Sequence, residues 1–197
     1  SFAESIRDIA GALAIGPRGK GPGRVVAVTS TMRGEGRTAT SIALARTMSQ
    51  SGLRVLLVGA DSQNPDLQQV MGLPPSYGFF DLAADRVQFK QVLVRDPLSH
   101  AHVVPAGMTH AAYALNSPHL TKIMQSLIHT YDAVIIDCGP ASSPETLAVA
   151  RMADYCLYAV RWNALERERM TAGLRTLAAS GLRGRVGVIL TQSEAAA

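Results

Sequence analysis

The chain has 197 residues, 47% of them apolar and 17% charged, with a net charge of +4. That suffices for one domain with a full core and is too apolar for a disordered chain. No apolar run approaches the roughly 18 residues of a membrane helix, no signal-peptide pattern opens the chain, and the positive charge is not gathered into a nucleic-acid-binding stripe. The first residue is Ser1 rather than Met, as in an excerpt of something longer. Cys138 and Cys156 stand in separate apolar runs with no C-x-x-C spacing, so the expectation is two buried thiols in a reducing compartment.

Along residues 2–13 the apolar positions Phe2, Ile6, Ile9 and Leu13 share one helical stripe. GPRGKGPG (16–23) breaks that helix and reads as a flexible connection to a domain over 24–197. RVVAVTS (24–30) predicts a strand, and 37–51 a helix closed by Gly52. RVLLVGA (54–60) predicts a second strand, after which Pro65 is expected to open a short helix at its first position. The stretch 72–100 is less regular, with a short helix expected around VQFKQVL, and HVVPAG (102–107) reads as a short strand. SPHLTKIMQSLIH (117–129) begins with a Ser cap and Pro and sets Leu120, Ile123, Met124, Leu127 and Ile128 on one face. DAVIID (132–137), CLYAVR (156–161) and GRVGVIL (184–190) complete the strands, with helices near 144–152 and 164–180 between them. Nearly continuous apolar strands alternating with helices predict an α/β fold, a doubly wound, mostly parallel sheet covered on both faces.

TSTMRGEGRTAT (29–40) lies between a strand and a helix. Against the phosphate-loop pattern G-x-x-x-x-G-K-[ST], Gly36 and Thr38 match, Thr31 replaces the first glycine and Arg37 the lysine. Gly34 and Gly36 let the backbone approach phosphates, the helix start directs N–H groups and positive dipole at them, and Thr38 offers a hydroxyl to Mg²⁺. Without a ligand, the same stretch is simply a glycine-rich turn. Arg37 still attracts phosphates, but as a long planar fork rather than the compact charge of a lysine. Asp137, closing VIID, and Asp61, closing VLLVGAD, stand at strand ends where such sheets meet ligands and where an aspartate commonly holds Mg²⁺; turn or helix-cap roles are the alternative. The pair His100 and His102 lacks a third ligand at metal-site spacing, and ERER (166–169) reads as a solvated helix face.

The loop S-x-x-x-G-E-G-R-T (30–38), VLLVGADSQNP, GLPPSYGFFDL, HVVPAG, YDAVIIDCGP and ETLAVARMADYCLYAVR stand in the order found in bacterial tyrosine autokinases of the polysaccharide co-polymerase type. The chain resembles these deviant P-loop ATPases from about Glu4 to Gln192. The resemblance implies ATP and Mg²⁺ as cofactors. It implies a nucleotide site of Gly34, Glu35, Gly36, Arg37, Thr38, Ala39 and Thr191, with Arg37 and Asp61 in catalytic positions. Thr38, Asp61 and Asp137 would serve the metal. Glu4 and Arg7 match the start of an E-x-x-R-x-x-R helix motif that mediates ring assembly in the family. A membrane co-polymerase segment, in the same or a partner chain, is the implied partner, at the cytoplasmic side of the inner membrane, with no nucleic acid involved.

The departures set the expected function. Beyond Arg37, Gly59 takes the place of the first aspartate in the family's D-x-D motif, Thr191 that of an adenine-reading asparagine, and Ala10 that of an assembly arginine. The SEAAA end carries no tyrosine cluster. The expectation is a kinase-like regulatory domain of an exopolysaccharide or capsule system with impaired catalysis. An active autokinase using Arg37, with Tyr113 or Tyr155 as acceptor, is the enzymatic alternative. A partitioning or septum-positioning ATPase ranks lower, since Met32 stands where that group has its signature lysine.

Overall fold

The structure, a computed structural model, describes residues 1–17, 21–74, 76–108, 112–162, 167–182 and 185–192. The middle of the expected connection, the start of the 164–180 helix and the SEAAA end lie outside the described residues, as do the side chains of 112 and 113.

The strands are β1 (Arg24–Ser30), β2 (Val55–Ala60), β3 (Val94–Arg95), β4 (His102–Val104), β5 (Ala133–Pro140), β6 (Tyr155–Arg161) and β7 (Arg185–Thr191). The helices are α1 (Phe2–Leu13), α2 (Arg37–Gln50), α3 (Asp66–Val70), α4 (Phe79–Ala83), α5 (Phe89–Val92), α6 (Pro118–Thr130), α7 (Pro144–Ala150) and α8 (Arg167–Ala179). Among the described residues the strands form one sheet in the order β3-β4-β2-β5-β1-β6-β7, parallel except for the edge pair β3–β4. The doubly wound α/β expectation holds.

Both faces of the central strands are buried, which is why they read as unbroken apolar runs. One face of the sheet presents Val26, Val28, Leu57 and Ile135 to a layer that includes Ile6 and Leu13 of α1 and Leu44 and Met48 of α2. The other presents Ala27, Val58, Ile136 and Tyr158 to a layer drawing on α4, α6, α7 and α8. Helix α1 is therefore part of the core, except that Phe2, expected on its apolar stripe, is 62% exposed. Helix α6 begins as its sequence predicts: Ser117 accepts from Leu120 N at 3.1 Å and Pro118 occupies the first turn.

Three local expectations need correction. Pro65 lies just outside α3, as its N-cap, because the Asp61 carboxylate accepts from the Gln63 and Asn64 amides (3.1 and 3.0 Å) and holds the chain in a turn up to that point. Asp137 is not the last residue of its strand. β5 continues to Pro140, which pairs with Ser30, so Asp137 sits within the strand opposite Val28 and Gly59. The irregular stretch 72–100 also contains α4 and β3, elements too short to show a period.

Candidate functional site

At the C-terminal ends of the central strands, β1 turns through residues 31–36 into α2. Gly34 and Gly36 have φ of +83° and +85°, the left-handed conformation that side chains disfavour. A Cβ at Gly36 would also sit 3.1 Å from Thr191. Gly36 is the N-cap of α2 and supplies no side chain, so the helix's first N–H groups are uncapped and its first turn has no acidic residue. That is the arrangement an anion needs.

Beneath the loop, Thr38 Oγ1 donates to Asp137 Oδ2 at 2.8 Å. The Ser41 hydroxyl stands 3.3 Å from Asp137 Oδ1 and 3.0 Å from the Arg37 carbonyl. Burial pushes the Asp137 carboxyl up to about 6, against the opposing pull of the Thr38 hydroxyl and the nearby Arg37 charge. A hydroxyl beside a carboxylate is a hard-oxygen pair, and it fits Mg²⁺, which takes one or two carboxylates and completes its shell with water or phosphate.

Arg37 is only 4% exposed and turns inward. Its Nη1 donates to the Cys138 carbonyl at 3.0 Å and its Nη2 lies 3.5 Å from Asp61 Oδ2. Asp61 is thus fully engaged, by Arg37 and by the two amides of its own turn. Withdrawing the guanidinium toward a ligand would leave a buried carboxylate without its cation, a costly exchange. Gly59, on the strand before Asp61, leaves no room for the aspartate that the resemblance puts there. A Cβ would meet the Ala106 amide nitrogen at 2.9 Å.

The loop is tied to its surroundings from three sides. The Glu35 carboxylate, 4% exposed, folds back to accept from Met32 N at 2.6 Å. Thr191 Oγ1 donates to the Glu35 carbonyl at 2.7 Å and Gln192 Nε2 to the Gly34 carbonyl at 3.3 Å, so the end of β7 braces the loop. Thr31, which replaces the first glycine, shares a 2.6 Å hydrogen bond with the Tyr158 hydroxyl. Arg33, on the outer lip, donates to Asn64 Oδ1 at 2.8 Å and Asp66 Oδ1 at 2.5 Å across the site.

The structure therefore brings Gly34, Glu35, Gly36, Arg37, Thr38, Asp61, Asp137 and Thr191 together, with Ala39 exposed in the first turn of α2. Glu4 and Arg7 lie on α1, whose N-cap Ser1 and whose Phe2 and Ser5 line a cavity together with Gly36, Ala39 and Thr191. Glu4 completes a capping box with Ser1, and Arg7 Nε donates to the Ala3 carbonyl at 3.1 Å. His102 shares a 2.7 Å hydrogen bond with the Tyr131 hydroxyl. Sequence reasoning missed Ser41, Tyr158 and Arg33. Ser41 was findable, one helical turn beyond Thr38; the other two depend on tertiary contacts.

Comparison with known proteins bears on the family and the fold. The AAA domain family matches residues 23–179. The septum site-determining protein MinD of Synechocystis is 30% identical over 118 residues, covering 58% of this chain and 44% of that protein. The succinoglycan biosynthesis transport protein ExoP of Rhizobium meliloti is 27% identical over 145 residues, 71% of this chain and 18% of ExoP. This chain thus spans less than half the length of either relative. In fold, the kinase domain of the Escherichia coli tyrosine kinase ETK superposes with a TM-score of 0.84 at 18% identity, covering 99% of this chain and 78% of that one. Cobyrinic acid a,c-diamide synthase from Mycobacterium smegmatis, solved with an ATP analogue and magnesium, gives 0.75 at 22% identity, over 87% of this chain and 77% of that one. The chain belongs to the AAA domain family, and within it the resemblance to the bacterial tyrosine autokinase domains of exopolysaccharide systems holds in sequence and in fold.

Proposed function

We propose that this domain binds a magnesium-bound nucleotide and acts as a kinase-like regulatory module of an exopolysaccharide or capsule system, with phosphoryl transfer impaired. The observation that carries the reading is the direction of Arg37. The glycine loop, the uncapped start of α2 and the Thr38–Asp137 pair are the parts that bind, and they are intact. The cation that would follow a transferring phosphoryl group is instead held under the loop by Cys138 and Asp61. The first aspartate of the D-x-D motif has no space at Gly59. Losing one transition-state contact commonly costs about 100- to 1000-fold, and both losses bear on the same step.

In this reading the backbone N–H groups at the start of α2 hold the phosphates, and Thr38 and Asp137 orient the metal. When bound, Mg²⁺ neutralises phosphate charge. The membrane partner is a co-polymerase segment in the same or another chain, with this domain on the cytoplasmic side of the inner membrane. Arg7, exposed on α1, is offered for assembly between copies; Glu4 is engaged in its own cap.

The MinD relative raises a second reading, a partitioning or septum-positioning ATPase. Met32 in place of that group's signature lysine counts against it. Incubation of the purified protein with Mg-ATP, read by phosphotyrosine blot and phosphate release, tests the proposal. Neither signal should rise above a Thr38→Ala control; strong phosphotyrosine overturns the impaired-kinase reading.

A further inference from the structure

We infer that Arg33, rather than Arg37, is the cation that meets the terminal phosphate of a bound nucleoside triphosphate, and that it does so by releasing Asp66 and Asn64. The inference rests on the nucleotide-binding reading above and deepens it, because it gives the site a preference for triphosphate over diphosphate.

The phosphate loop contains two cations, Arg33 and Arg37. Arg37 is buried and committed to the strand ends. The Arg33 side chain is 57% exposed, and its fork reaches over to Asn64 and Asp66 in the segment that follows Asp61. The bridge therefore joins the phosphate loop to the segment following one of the site's carboxylates, the two parts between which the outer phosphates of a nucleotide would lie. An exposed ion pair is a weak, screened tie. A terminal phosphate offers more charge and more acceptors than the single Asp66 oxygen, and a guanidinium fork matches phosphate geometry in a bidentate way. Release does not strand Asp66, which stays in the first turn of α3 at the positive end of its peptide dipoles. A diphosphate lacks the group that draws the fork away, so with it the bridge to Asp66 persists.

Calorimetric titration of the wild type and of Arg33→Gln with Mg-ATP and with Mg-ADP tests this. The substitution should weaken Mg-ATP about tenfold, the loss of one charge-assisted contact, and Mg-ADP by less than about twofold. Asp66→Asn, which frees the fork, should tighten Mg-ATP. Equal weakening of both nucleotides by Arg33→Gln, or no change in either, overturns the inference and leaves the nucleotide-binding reading standing. Absence of any binding by the wild type overturns the reading itself, and the inference with it.

Discussion

Asp137→Asn should stabilise the metal-free protein at neutral pH, and should do so in a pH-dependent way. Asp137 is 4% exposed, and its carboxyl is raised from 3.8 to about 6 in the folded protein. A carboxyl raised on folding holds its proton more tightly in the native state than in the unfolded one. Its ionisation therefore costs stability above about pH 6, and the cost fades as pH falls from 6 toward 4. A rise of about two units corresponds to about 3 kcal/mol. Asparagine has nearly the same shape and can keep the surrounding contacts. Its oxygen accepts from Thr38, and its NH₂ faces the Ser41 oxygen, whose proton is directed to the Arg37 carbonyl. For a chain of this length about 1 kcal/mol moves the melting temperature by about 2–4 °C, so the variant should melt several degrees higher at pH 7.5 in the presence of a chelator. At pH 4.5 about two thirds of that gap should be gone. Added Mg²⁺ should raise the melting temperature of the wild type and leave the variant unmoved. A variant that melts lower than wild type at pH 7.5, or a gap of the same size at pH 4.5, would refute the buried-charge argument.

Gly59→Asp, which restores the residue that the resemblance puts there, should destabilise the fold by about 2 kcal/mol or more and produce no phosphotyrosine. The new Cβ meets backbone at Ala106 and its charge falls in register with Asp137. Thermal melting equal to wild type would refute the packing argument. Gly173→Ala places a methyl group 2.0 Å from the Tyr158 hydroxyl and should dislodge that ring from Thr31, lowering stability by about 1–3 kcal/mol. Tyr158→Phe in the same chain removes the 2.0 Å contact, leaving the ring carbon at 3.1 Å, and should recover part of the loss; strictly additive melting shifts would show that the two positions do not communicate.

How much of this was legible in the sequence depended on the length of each element and the reach of each side chain. Strands β1, β2, β5 and β6 are buried on both faces, so their apolar runs were unmistakable, and α6 announced itself through Ser117 and Pro118. Helix α4 has five residues, and it is defined by close backbone contact between Gly78 and Gly107 rather than by any period. The loop was recognisable because glycine at positive φ leaves a mark in the sequence. The direction of Arg37 was not, because a long side chain goes where acceptors wait. Those acceptors come from β5 and from the end of β2, positions 101 and 24 residues away in sequence. Likewise the missing carboxylate at Gly59 was visible at once, whereas the reason none fits resides in Ala106.

Strand β7 lies at the edge of the sheet, bonded to β6 alone, and its last residues hold the Glu35 and Gly34 carbonyls. An edge strand is thus the latch of the loop. An edge strand can be peeled back by a pull at one end, one rung at a time, while the other six strands keep the ladders among themselves. The rungs nearest Thr191 would go first, and the latch with them. Any displacement of Thr191 or Gln192 is consequently passed to Glu35 and Gly34 through a single hydrogen bond each.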